Sequence, residues 1–133
     1  MLPFTWDTLR LFLHIVAATI WVGGQLTLAG LVPALRAAGA DVPRTAARAF
    51  NRIAWPAFGI LVATGIWNVI AESDKNHGAY SATLNLKYAL VLASGLTAYL
   101  HLKASSKRNL AIFGALTGLT ALGAMFVGVL LAG

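Results

Sequence analysis

The chain has no cysteine, which excludes disulfides, thiolate metal sites and thiol catalysis together. Charge is nearly as scarce. Charged residues make up 11% of the 133 positions, against about a quarter in ordinary globular domains. Asp7, Asp41, Glu72 and Asp74 are the only acids, and each falls at a segment end or in a connection. A pump built on embedded carboxylates has none to use. No serine–histidine pairing stands at a useful spacing, and no Gly-rich phosphate loop is present. Sulfur is limited to Met1 and Met125, a poor supply for copper(I), which favours soft ligands.

Apolar residues, by contrast, reach 59%. A soluble protein needs far more polar surface than this to stay dispersed, so lipid is the expected solvent. Four apolar segments, residues 6–32, 45–71, 83–104 and 108–132, each come close to the ~20 residues that cross a hydrocarbon core. Thr5 stands as N-cap of the first, with Pro33 just past its end. The first run is longer than the roughly 7–15 residues of a signal-peptide core, and no basic leader precedes it, so it is expected to be retained. Spans in lipid must be helical, and short connections make successive helices antiparallel neighbours. The prediction is all-α: a single-domain integral membrane four-helix bundle running up-down-up-down.

The net charge of +6 could suggest nucleic acid. The basic residues cluster at helix ends, however, with no stacking or phosphate-cradling loop beside them, so their expected partner is the lipid bilayer and no nucleic acid. Arg36, Arg44, Arg48, Arg52, Lys103, Lys107 and Arg108 share the side of the first and third connections. Arg10, Lys75 and Lys87 fall on the other. The positive-inside rule then predicts a multi-pass protein of the cell (cytoplasmic) membrane with both termini outside. Arg44, Arg48 and Arg52 recur every four residues on one helical face, as though helix two extends into the cytoplasm before Trp55 enters the interface, with Pro56 at a bend. Trp6, Trp55, Trp67 and Tyr80 suit an aromatic belt. Gly114 and Gly118 form a G-x-x-x-G pair suited to close helix packing, within the monomer or in a homo-oligomer.

Polar residues inside spans are costly and are where function is sought. At about 100° per residue, Trp21 and Gln25 fall within roughly 20° of His14 on helix one. Lys87, Ser94 and His101 form a similar stripe on helix three, and Thr64 and Asn68 lie one turn apart on helix two. The stripes are expected to face one another across the bundle axis. His101, about 21 Å from Lys87 along the helix, belongs near the opposite boundary from His14. An outward cluster of His14, His77 and Lys87 is expected, with Asn68 within reach. A neutral imidazole there suits copper or haem iron. Haem needs only one or two nitrogen ligands and an apolar slot, which four-helix bundles provide. Each residue also has a plain structural role open to it: hydrogen bonding between helices for His14 and His101, snorkelling for Lys87, solvation for His77.

The first helix, LFLHIVAATIWVGGQLTLAG, resembles the opening of the CopD family of copper-resistance membrane proteins, with His14 followed by Trp21 and Gly24. The second, RAFNRIAWPAFGILVATGIWNVI, is similar to that family's basic start and late Thr-Gly, here Thr64 and Gly65. The third, LNLKYALVLASGLTAYLHLKASSKR, resembles its Leu-x-x-Lys start and basic exit, with Lys87 in the Lys position. The resemblance covers about the first 108 residues and implies copper uptake or tolerance. The His-x6-Trp-x2-Gly element, the Pro-containing second helix and the early Lys also look like the HemJ-type protoporphyrinogen oxidases. That resemblance implies haem b on His14, a site role for Lys87 and a haem-dependent oxidoreductase. The fourth helix, NLAIFGALTGLTALGAMF, lacks the latter family's Arg-x-x-Asn-Glu-like start and later Pro, so the CopD resemblance leads. Taken together, the residues expected at a cofactor are His14, Lys87, Trp21, Gln25 and Asn68, with His14 and His77 as metal ligands. A third expectation is an accessory subunit of a larger membrane complex, without chemistry of its own.

Overall fold

The computed structural model describes residues 1–133. The chain forms four long helices: α1 (Trp6–Ala38), α2 (Val42–Ala71), α3 (Gly78–Lys103) and α4 (Lys107–Ala132), with one 3₁₀ turn at Ser73–Lys75. By length and composition, α1, α2 and α4 are long and apolar enough to cross a membrane. The chain divides into two compact units, Met1–Ala71 and Glu72–Gly133, each a helical hairpin.

Thr5 caps α1 as its sequence position suggests. Its hydroxyl accepts from the Thr8 amide at 3.2 Å, and the Thr8 hydroxyl accepts in return from the Thr5 amide at 3.3 Å. Two of the amide donors that a helix start leaves unsatisfied are thereby met. The far end differs from expectation. Pro33 lies inside α1, which runs on to Ala38 before Gly39 ends it. Proline fixes a helix-compatible φ, and its clash with the preceding turn can be absorbed by a kink rather than a stop. Likewise α2 begins at Val42, α3 at Gly78 and α4 at Lys107, each upstream of its apolar run, because polar residues can continue a helix beyond its apolar stretch.

Midway along α1, residues Thr19–Gly23 form a π-turn. Its i→i+5 bonding widens the helix locally, by about one residue in the turn. Trp21 and Val22, within the turn, are buried.

In the first hairpin, α1 meets α2 along one seam. His14 contacts Thr64, Trp21 packs on Phe58 and Trp55 with ring centroids 4.5 and 5.2 Å apart, and Gly24 receives the Phe50 ring. Rising numbers on α1 meet falling numbers on α2, so the pair is antiparallel. Ala54, Ala57, Leu61 and Thr64, spaced three and four apart, are the buried face of α2. Trp55 is thus a packing residue of this seam. Trp6, 70% exposed, keeps the character a belt requires.

In the second hairpin, the polar stripe of α3 is turned onto α4. Ser94 donates to the Thr117 carbonyl at 3.2 Å, and the Thr117 and Thr97 hydroxyls are 2.9 Å apart. His101 Nδ1 donates to the Leu110 carbonyl at 2.9 Å. The glycines of α4 receive α3 side chains: Gly114 lies under the His101 ring, Gly123 under Leu90 and Gly128 under the Lys87 ammonium. Gly118 meets nothing, so the seam uses Gly114 and not the G-x-x-x-G pair as a unit.

The distribution of polarity is inverted relative to a soluble protein. Phe12, Ile15, Leu92, Leu119 and Phe126 are exposed, whereas Arg10, Thr64, Ser94 and Thr117 are buried. Contiguous apolar surface of this kind needs a partner that water cannot be, and hydroxyls placed between helices satisfy their donors where no water reaches.

Candidate functional site

His14 is held by Thr64. The imidazole Nδ1 lies 2.8 Å from Thr64 Oγ1, which is itself 2.7 Å from the Ile60 carbonyl oxygen one turn back. A hydroxyl oxygen and a carbonyl oxygen approach this closely only with a proton between them, and the carbonyl cannot supply it. The Thr64 proton therefore belongs to Ile60, and Thr64 accepts from His14. This assigns a proton to Nδ1, and in the neutral ring the lone pair is then on Nε2. Metal-ligating histidines show this arrangement, the second nitrogen donating to an outer partner that fixes ring and tautomer. Gly65 completes the seat: a Cβ there would stand 3.8 Å from His14 Cε1.

Two further polar groups lie at the same end of this hairpin. Arg10, one turn before His14, is 2% exposed and pairs with Asp7 at 3.2 Å. Asn68, one turn beyond Thr64, has its Oδ1 buried with no hydrogen-bond partner. Because the helices are antiparallel, one turn back on α1 and one turn on along α2 point the same way. A buried amide oxygen without a donor costs on the order of 1–3 kcal/mol and marks a place where a ligand or water would bond. By composition alone Arg10 counts as a topology charge. The signal that places it in the hairpin is its position four residues before His14, with Asp7 three before it on the same face.

Trp21 is buried against Trp55 and Phe58, and the Trp55 indole N–H is also buried without an acceptor. Gln25, beyond the π-turn, is half-exposed. Lys87 lies against Gly128 in the second hairpin, where a Cβ would sit 3.2 Å from its Nζ. His77 is exposed at the head of α3 and its side chain caps nothing. His101, bonded to Leu110, serves the α3–α4 seam, and Lys103 stands 5.6 Å over the Tyr99 ring. No group of three or more His, Asp or Glu side chains gathers to hold a metal ion. The donor set therefore fits a ligand that takes a single oriented imidazole, and it does not make a closed copper(I) cage.

Protein-family models, curated proteins and solved structures give no match to this chain. Its function is to be read from the geometry.

In that geometry the His-x6-Trp-x2-Gly element has a physical meaning of its own. His14, Trp21 and Gly24 all face α2, and the Thr64–Gly65 pair is where His14 sits. Motif residues on two different helices are joined by one hydrogen bond.

Proposed function

We propose that the chain is an integral protein of the cell membrane, that α3 crosses with the other three helices in an up-down-up-down bundle, and that both termini lie outside. At 26 residues, α3 reaches about 39 Å as a helix, more than a hydrocarbon core requires. Its polar side chains are turned onto α4, where they cost least. Arg10, paired and buried, drops out of the charge comparison, which sharpens the asymmetry toward the side of Arg44, Arg48, Lys107 and Arg108.

Within this frame the chain handles copper, in uptake or tolerance, with His14 as the outward ligand. The observation that carries the reading is the Thr64-oriented imidazole, 2.8 Å from its partner, joined to the likeness of helices one to three to CopD proteins. A deletion strain grown under copper stress, complemented by the wild-type chain or by His14→Ala, tests it. Wild-type rescue that His14→Ala fails to give is the expected result. Equal copper content and tolerance in all strains would remove the copper role.

A second reading, a haem-b redox protein, is favoured by the single oriented imidazole, since haem takes one or two nitrogen ligands. The detergent-purified protein separates the two. A Soret band lost in His14→Ala would put haem first, and a colourless preparation from haem-replete cells with His14-dependent copper would put copper first. Stable co-purification with catalytic subunits and no bound metal would leave only an accessory role.

A further inference from the structure

The arginines at the start of α2 and an apolar groove between α1 and α2 lie on one continuous ridge. Arg44, Arg48, Arg52, Pro56 and Ile60 are spaced four apart and so form a single i±4 row along the helix. Its first three members are exposed and form no ion pair. Its last two line a groove of about 170 Å³ with Ile53 of α2 and Val16 and Ile20 of α1. Every wall of that groove is an apolar side chain. From Arg52 to Pro56 the rise is about 6 Å, within an arginine side chain's reach. Fixed positive charge, then a dry furrow running down the membrane axis, matches a molecule with an anionic head and a hydrocarbon tail.

We propose that this ridge and groove bind one anionic phospholipid, its phosphate on Arg48 and Arg52 and an acyl chain between Val16, Ile20, Ile53 and Ile60. The proposal rests on the membrane-spanning reading and is independent of what His14 binds. Guanidinium suits phosphate because its forked N–H groups match two oxygens at once. The groove supplies what a general attraction to the surface does not, a place for the tail.

The test is native mass spectrometry of the full chain in detergent, titrated with phosphatidylglycerol or phosphatidylcholine of identical acyl chains. One phosphatidylglycerol should be retained with a preference of about 25-fold, the product of two arginine contacts of ordinary strength. R48Q/R52Q should bring the preference close to one. K107Q/R108Q, which removes the same charge from the other hairpin, should leave it intact. I60W, which fills the groove, should lose both lipids while melting like the wild type. Glycerol phosphate should not displace the lipid. Equal binding of the two lipids, equal loss in both double variants, or displacement by glycerol phosphate would each overturn the site. Recovery of the chain from the soluble fraction without detergent would remove the membrane reading and the lipid site with it.

Discussion

Replacing Thr64 by Val keeps the shape of the side chain and removes the oxygen that His14 donates to. Two effects of different size result. Hydrogen bonds between helices in lipid contribute about 0.6 kcal/mol on average, and at most about 1.7, so the folded protein should survive the loss with a small drop in melting temperature. Removing the outer partner of a ligating histidine costs about 10–100-fold in affinity, which is roughly 1.4–2.7 kcal/mol. The ligand effect should therefore exceed the stability effect. The cause is the tautomer: with no acceptor at Nδ1, the proton can move to Nε2 and turn the lone pair toward the methyl groups of the substituted side chain. Thr64→Ser restores the oxygen and should recover most of the affinity. Copper or haem retained per protein, measured beside thermal stability for the wild type, Thr64→Val, Thr64→Ser and His14→Ala, reads both quantities. Thr64→Val binding as the wild type does, while His14→Ala does not, would refute the orienting role. A large loss of stability with proportionate loss of ligand would reduce it to simple packing.

Gly114→Ala should destabilise by about 1–3 kcal/mol through overpacking, because its Cβ would stand 3.2 Å from the His101 ring, which Leu110 tethers. Gly118→Ala meets nothing and should be neutral or stabilising, and thermal melts of the two variants compare them directly. The absence of cysteine allows single-cysteine probes without background: Ser73→Cys should react with an impermeant maleimide on intact cells, and Ser105→Cys only after permeabilisation. The reverse pattern would invert the orientation. The Lys75 ammonium is held above the ordinary lysine value of 10.5, first by its hydrogen bond to Glu72 at 2.7 Å and then by that carboxylate's charge. A raised lysine favours the folded state at neutral pH and loses that contribution as pH climbs past 10.5. Glu72→Gln should accordingly speed amine labelling of Lys75 near pH 10 with little change in melting.

Helix identity is legible in the sequence because each run is long, apolar and free of strand-like alternation, and Thr5 marks its own helix start. Helix ends are less legible. Nothing demands that a helix stop where hydrophobicity stops, so α1 continues through Pro33 and α3 begins at Gly78. The pairing of His14 with Thr64 can be anticipated from two stripes on neighbouring helices. The α3 stripe can be placed on its helix, but not its partner: Ser94 and His101 bond backbone carbonyls of α4, and carbonyls carry no residue signature. Arg10 escapes for a related reason. A sequence counts an arginine as a surface charge by default, whereas its burial depends on the depth of its neighbours across the hairpin.

The π-turn at Thr19–Gly23 lies between the two places where α1 is keyed to its partner, His14 on Thr64 and Gly24 under Phe50. The inserted residue acts as a vernier, letting each half of the helix take its own rotational setting against α2. Point substitutions leave both settings in place. Only a gain or loss of one residue within those five positions changes the phase between them, and it would break one of the two contacts without altering any residue that makes them.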